Sequence, residues 1–149
     1  MTTPTYQDPR LAFVHDFMTN QIPFNRVLGI QVLELGEGRA VLAVDYRPDL
    51  VGDPLRPALH GGVISALLDT CGGAAVWTTI GENDRISTID LRVDYLRPAP
   101  LERILAVAEV IRVGNRVGVA SIKAFPASKP DEVCAEGKGV YSVRRADDR

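Results

Sequence analysis

Residues His60–Ile80 read HGGVISALLDTCGGAAVWTTI, and the rest of the chain has to be arranged around them. After His60-Gly61-Gly62 the stretch runs about eighteen residues without a proline, which predicts one long helix of roughly 27 Å. On a helical wheel Val63, Ile64, Leu67, Leu68, Cys71, Ala74 and Ala75 share a broad apolar face, fit to lie on a sheet. The opposite stripe holds Gly62, Ser65, Ala66, Gly72, Gly73 and Val76, with Asp69 at its centre as the only charge between His60 and Ile80. A solvent face would carry Lys, Glu and Arg. Gly72 and Gly73 each cost about 1 kcal/mol against alanine in a helix interior, so a small, uncharged stripe predicts close approach of another backbone or a ligand. Asp69 is then expected in a narrow, partly dry place, where a carboxylate is a better base.

The lead-in gives that carboxylate a possible partner. Two glycines at a helix start leave backbone N–H groups bare, with the positive end of the helix dipole behind them. The N–H of Gly61 or Gly62 is therefore a candidate oxyanion donor, and Asp69 a candidate base or nucleophile, for attack on a carbonyl. A buried Asp taken alone is more often structural, so the pairing with the glycines carries the reading.

The chain has 149 residues, 46% hydrophobic and 24% charged, which fits one globular domain with a real core. A net charge of −2 gives no electrostatic case for nucleic acid or a membrane surface as partner. Cys71 and Cys134 form no disulfide framework and point to a reducing, cytoplasmic setting. MTTPTYQDPR has no apolar signal core, and no run reaches transmembrane length. Two scattered histidines and two distant cysteines make no metal constellation, and no metal or separate cofactor is expected.

In order, residues 1–7 read as loose, and Asp8-Pro9 as a helix start with Leu11, Val14, Phe17 and Met18 as its apolar stripe. His15, beside that stripe, reads as a packing or surface histidine. Pro23–Leu28 reads as a further turn closed by Gly29. Strands are expected over Ile30–Leu35 and Arg39–Arg47, then an irregular Pro48–Leu59 loop with three prolines before the long helix. Ile86–Leu96 alternates: Ile89, Leu91, Val93 and Tyr95 one way, Thr88, Asp90, Arg92 and Asp94 the other. Arg103–Val113, Val117–Phe125 and Val133–Val143 complete about six antiparallel strands, an α+β roll around one helix.

The pattern HGG, then LLD, then small residues resembles the hotdog-fold acyl-coenzyme A thioesterases. It is most similar to the phenylacetate-degradation and 4-hydroxybenzoyl-coenzyme A thioesterase-like group. The step of nine residues from His60 to Asp69 matches that group, and the resemblance covers roughly residues 25–144, with 1–28 an added N-terminal helical segment and 29–144 the hotdog core.

The resemblance implies hydrolysis of an acyl- or aryl-coenzyme A thioester, with coenzyme A entering only as part of the substrate. It implies Asp69 as the catalytic acid residue, His60 as a residue fixing the loop near the thioester, and Thr88 as a hydroxyl orienting water or the acid. It implies a site between two subunits of a homodimer or dimer of dimers, with the small-residue stripe facing the partner. By the alternation of its strand, Thr88 is expected to act across that boundary. Relatives often carry Asn or Gln six residues before the motif histidine. Here that place is Pro54, with Asp53 the nearest polar residue. An ionised Asp cannot donate to an oxyanion. Arg97, Arg112, Arg116 and Lys138 are the cationic candidates for the coenzyme A phosphates. The main alternative is a non-catalytic acyl-coenzyme A-binding hotdog protein; a hydratase does not match the step from HGG to Asp69.

Overall fold

Asp8 opens the first helix, α1 (Pro9–Asp16), in the computed structural model, which describes residues 2–148. Its carboxylate accepts the Arg10 N–H at 2.8 Å, and Pro9 takes the first helical position, where no N–H is needed. A π-helical turn over Phe17–Gln21 follows, then α2 (Pro23–Leu28), closed by Gly29 at φ 72°. That conformation suits glycine because no Cβ opposes it. Before α1 the chain is not loose throughout: Tyr6 lies with its ring centroid 5.6 Å from that of His15 and its hydroxyl 3.2 Å from Nδ1. His15 is a packing histidine, and burial lowers its pKa.

The core begins with a hairpin, β1 (Ile30–Gly36) and β2 (Arg39–Val44). The expected irregular loop holds a short hairpin of its own, β3 (Val51–Asp53) with β4 (Ala58–Leu59). The long helix α3 spans Gly61–Trp77. It stops three residues short of the sequence expectation, where Thr78 Oγ1 donates to Ala75 O at 2.6 Å and accepts the Gly38 N–H at 2.8 Å. The remaining strands are β5 (Arg85–Tyr95), β6 (Ile104–Val113), β7 (Val117–Pro126) and β8 (Ala135–Arg144).

Six strands form one antiparallel sheet in the order β1-β2-β6-β7-β8-β5, curled around α3 in the expected hotdog layout. All seven residues of the apolar helix face are buried. Under them the sheet offers Ala106, Ala108, Ala120 and Ala124, whose short side chains let the helix sit close. Leu67 and Leu68 are fully buried, each contributing about 1.5–3 kcal/mol.

The glycine pair has a different cause from the one expected. A Cβ on Gly72 would overlap the hydroxyl of Tyr141 on β8 and come within 3.0 Å of Ile122; one on Gly73 would meet Ile86 at 3.1 Å. The chain's own Tyr141 fills the space, so no partner subunit is needed to explain Gly72 and Gly73. Both glycines and Val76 are buried within the fold of the single chain.

The pairing of β5 with β8 slips by one residue between Thr88 and Asp90. Such a bulge flips the side-chain phase. Ile86 and Thr88 therefore face the helix before it, and Leu91, Val93 and Tyr95 after it, while Ile89 is 58% exposed. The alternation expected for this strand holds only on the far side of the bulge.

Beyond α3, Asp84 ties the loop to the C-terminal end. Its carboxylate accepts from Gly81 N at 2.9 Å, Ala146 N at 2.9 Å and Arg145 Nη1 at 3.2 Å. Burial raises the pKa of this group, but those bonds and the guanidinium charge outweigh it, so its pKa lies below the ordinary carboxylate value. A depressed folded value contributes stability above the unfolded pKa near ~3.9, which is lost as pH falls through the folded one. Asp84→Asn is expected to lower stability at pH 7 by about 1–3 kcal/mol, read by urea unfolding. The gap from wild type should narrow as pH falls below about 4.

Candidate active site

Asp69 lies just over two turns into α3, half-buried where the helix meets edge strand β5. Thr88 Oγ1 donates to its Oδ1 at 2.8 Å, which leaves Oδ2 without a partner among the described residues. The Asp69 backbone carbonyl accepts from Tyr141 Oη at 2.8 Å. Burial, with the Asp69 charge adding to it, pushes the Tyr141 hydroxyl well above its ordinary pKa, so it remains a neutral donor. Thr88 thus reaches the acid within its own chain, not across a subunit boundary, because the bulge turns it inward.

The HGG turn forms the second half. His60 caps α3: its Nδ1 accepts the Gly62 N–H at 2.8 Å. An accepting Nδ1 carries no proton, so the neutral ring holds its hydrogen on Nε2, on the exposed side chain. Of the two glycine amides considered as oxyanion donors, Gly62's is taken by this cap. The Gly61 N–H makes no hydrogen bond among the described residues and remains available. Tyr95 Oη donates to Gly61 O at 2.9 Å and also bonds Ser65 Oγ. Behind the turn, β3 presses on His60 so closely that a Cβ on Gly52 would lie 2.5 Å from the His60 Cα.

The HGG turn and the carboxylate stand apart along the helix. Gly61 and Asp69 are eight residues apart on one helix, roughly 12 Å of rise, whereas an oxyanion donor sits about 3 Å from the carbonyl oxygen and a general base about 3 Å from the attacking water.

Asp53 is committed locally. Its Oδ1 accepts from Leu55 N at 2.9 Å and Arg56 N at 3.1 Å, closing the turn between β3 and β4. Of the four cationic candidates, only Arg97 stands beside the HGG turn. It lines a cleft of about 440 Å³ shared with Leu59, Gly61, Ile64 and Tyr95, and lies 3.8 Å from Glu132. Lys138 shares its hollow with Asp90, Arg92, Asp94 and Glu136, Arg116 flanks Ser142 with Arg144, and Arg112 is exposed on β6. Cys71 is inert: burial pushes its thiol up to about 12, and it donates to Ala40 O and Ala106 O.

Sequence reasoning gave no role to Tyr141, Tyr95 or Ser65. The Gly72-Gly73 pair was a signal for a bulky neighbour on the opposing sheet, but nothing local identified that neighbour as Tyr141, 69 residues after Gly72. No described helix is long and apolar enough to cross a membrane.

With this geometry in hand, comparison with known proteins is specific. A sequence model described as "Thioesterase superfamily" matches residues 57–135. The medium/long-chain acyl-CoA thioesterase YigI of Salmonella typhimurium is 36% identical over 126 residues, covering 76% of this chain and 81% of that protein. A solved thioesterase-superfamily protein aligns with a TM-score of 0.83 at 32% identity, over 92% of this chain and 100% of its own. A thioesterase family protein from Silicibacter pomeroyi gives 0.82 at 25%, over 90% and 98%.

The cap makes a direct prediction. His60→Ala should cost about 1 kcal/mol of stability, seen as a lower midpoint in thermal unfolding, whereas His60→Asn, whose side-chain oxygen can take the same N–H, should recover most of it.

Proposed function

This chain belongs to the thioesterase superfamily, and from that premise we propose that it hydrolyses an acyl- or aryl-coenzyme A thioester to the free acid and coenzyme A. The observation that carries the reading is the Asp69–Thr88 pair opening beside the edge strand. A thioester carbonyl has little resonance stabilisation. Its hydrolysis asks only for a base or nucleophile and a donor for the oxyanion. Thr88 occupies Oδ1 of Asp69 and leaves Oδ2 free, either to take a proton from water or to attack the carbonyl directly. The unpaired Gly61 N–H is the oxyanion donor in this reading, worth about 3 kcal/mol in the transition state, with His60 Nε2–H beside it.

The roughly 12 Å between Gly61 and Asp69 supports a site assembled from two copies of the chain, Asp69 and Thr88 from one and Gly61 and His60 from the other. Edge strand β5 suits that contact: it is eleven residues long, pairs with β8 alone in the sheet and exposes Ile89. Arg97, on the cleft beside Gly61, is the favoured partner for the coenzyme A phosphates; Arg112, Arg116, Lys138 and Asp53 are set aside. The relative YigI makes medium- and long-chain acyl groups the first to test. Two free, buried cysteines suit the cytoplasm.

A panel of acyl- and aryl-coenzyme A thioesters, read by release of free thiol, tests the activity. Asp69→Asn is expected to lose turnover by about three orders of magnitude while the protein still folds and self-associates. Equal idleness of wild type and variant, with thioester binding intact, would instead favour the non-catalytic binding protein. Single turnover in isotopically labelled water tests the role of Asp69: general-base attack puts the label only in the released acid, whereas label in Asp69 requires direct attack followed by opening of the mixed anhydride at the aspartyl carbonyl. For the shared site, Asp69→Asn and His60→Ala chains, each first shown to be inactive on its own, are refolded together. Random pairing should restore about a quarter of wild-type activity, because half the dimers then hold one intact site of two. No recovery in verified mixed dimers would rule the shared site out.

A further inference from the structure

We propose that Tyr95, backed by Ser65, is the positioning residue for the HGG half of the site, holding the Gly61–Gly62 peptide so that His60 presents Nε2–H and Gly61 presents its N–H. The bond network stands by itself; its catalytic consequence rests on the thioesterase reading. Gly61 and Gly62 give the start of the helix no side chain to anchor it, the first buried ones being Val63 and Ile64, and each glycine adds backbone freedom worth about 1 kcal/mol. Something outside the helix has to hold it.

Three hydrogen bonds converge there. Tyr95 has one proton, given to Gly61 O at 2.9 Å, so Ser65 Oγ must be the donor to Tyr95 Oη. The trans peptide between Gly61 and Gly62 points its C=O and N–H in opposite directions. Tyr95 holds the oxygen end, and His60 Nδ1 takes the N–H end at 2.8 Å. Donation to the carbonyl polarises the amide, strengthens the N–H as donor and favours a bare Nδ1 on His60. The chain Ser65–Tyr95–Gly61–Gly62–His60 thereby selects one imidazole tautomer. The fit is close: a Cβ on Gly61 would lie 3.3 Å from the Tyr95 ring. Tyr95 ends the same strand that carries Thr88, so β5 supports both halves of the site, seven residues apart.

The chain has only two histidines, which makes the test direct. Protein labelled with nitrogen-15 histidine is examined by long-range proton–nitrogen correlation above the histidine titration, as wild type, Tyr95→Phe and Ser65→Ala. Wild type is expected to show His60 with a bare Nδ1 and a protonated Nε2. Tyr95→Phe keeps the ring and removes the hydroxyl, and should move both His60 nitrogens toward the average of exchanging tautomers. His15 should keep its signal, reporting an intact fold. In the thioester assay kcat should fall roughly three- to tenfold with KM within about twofold. Ser65→Ala should move both readouts the same way by less, and it decides the question if Tyr95→Phe does not fold. An unchanged His60 nitrogen pair in the folded variants overturns the proposal, whether or not kcat falls. If wild type turns over no thioester, the thioesterase reading fails alone, and the nitrogen pair still decides the role of Tyr95.

Discussion

One contact holds the fold and the acid together: the Tyr141 ring seated in the space left by Gly72 and Gly73. A Cβ on Gly72 would have to share the volume of the tyrosine hydroxyl, so helix and sheet can lie this close only with glycine there. From that position Tyr141 reaches back along α3 and bonds the Asp69 carbonyl, fixing the backbone that carries the acid. The glycines cost the helix roughly 1 kcal/mol each, and the fully buried leucines and alanine contacts on the same sheet offset that cost. Packing and positioning are here one arrangement, because the group that fills the core also sets the height of Asp69 above the edge strand.

The second constraint is rigidity. A helix sets a fixed rise per residue, so the capped turn at Gly61 and the carboxylate at Asp69, two turns on, belong to different places on the surface. Strand β5 lies along both: Thr88 bonds the acid and Tyr95 bonds the turn. The bulge after Thr88 is what permits both to face the helix, since six residues lie between them and an unbroken alternation would send one of them outward. Each half is organised without help from the other, through bonds that close within a single chain.

Much of this was legible from residue types alone. Helix α3, its buried face, the order of the main strands and the isolation of Asp69 follow from the spacing of apolar residues and from Pro and Gly, because those signals act within a few residues of themselves. Asp8 as a cap and Gly29 as a stop follow for the same reason. The small hairpin before His60 was hidden by its prolines, and the packing of Tyr6 on His15 by the polar residues around it.

What tertiary structure alone decided lies where residues distant in sequence compete for the same space. The sequence determined that α3 carries a lone acid among small residues after an HGG turn. It did not say what those small residues accommodate; a tyrosine four strands later occupies that space. Nor did it determine which way Thr88 faces, because a one-residue bulge depends on the register of β5 against β8 and leaves no mark in the alternation. Which glycine amide stays free was decided by the side-chain geometry of His60, and the hold on that turn by Tyr95 arriving from another strand. Local periodicity sets what each element is, but close packing between elements settles which atoms of the site are held and which remain available for chemistry.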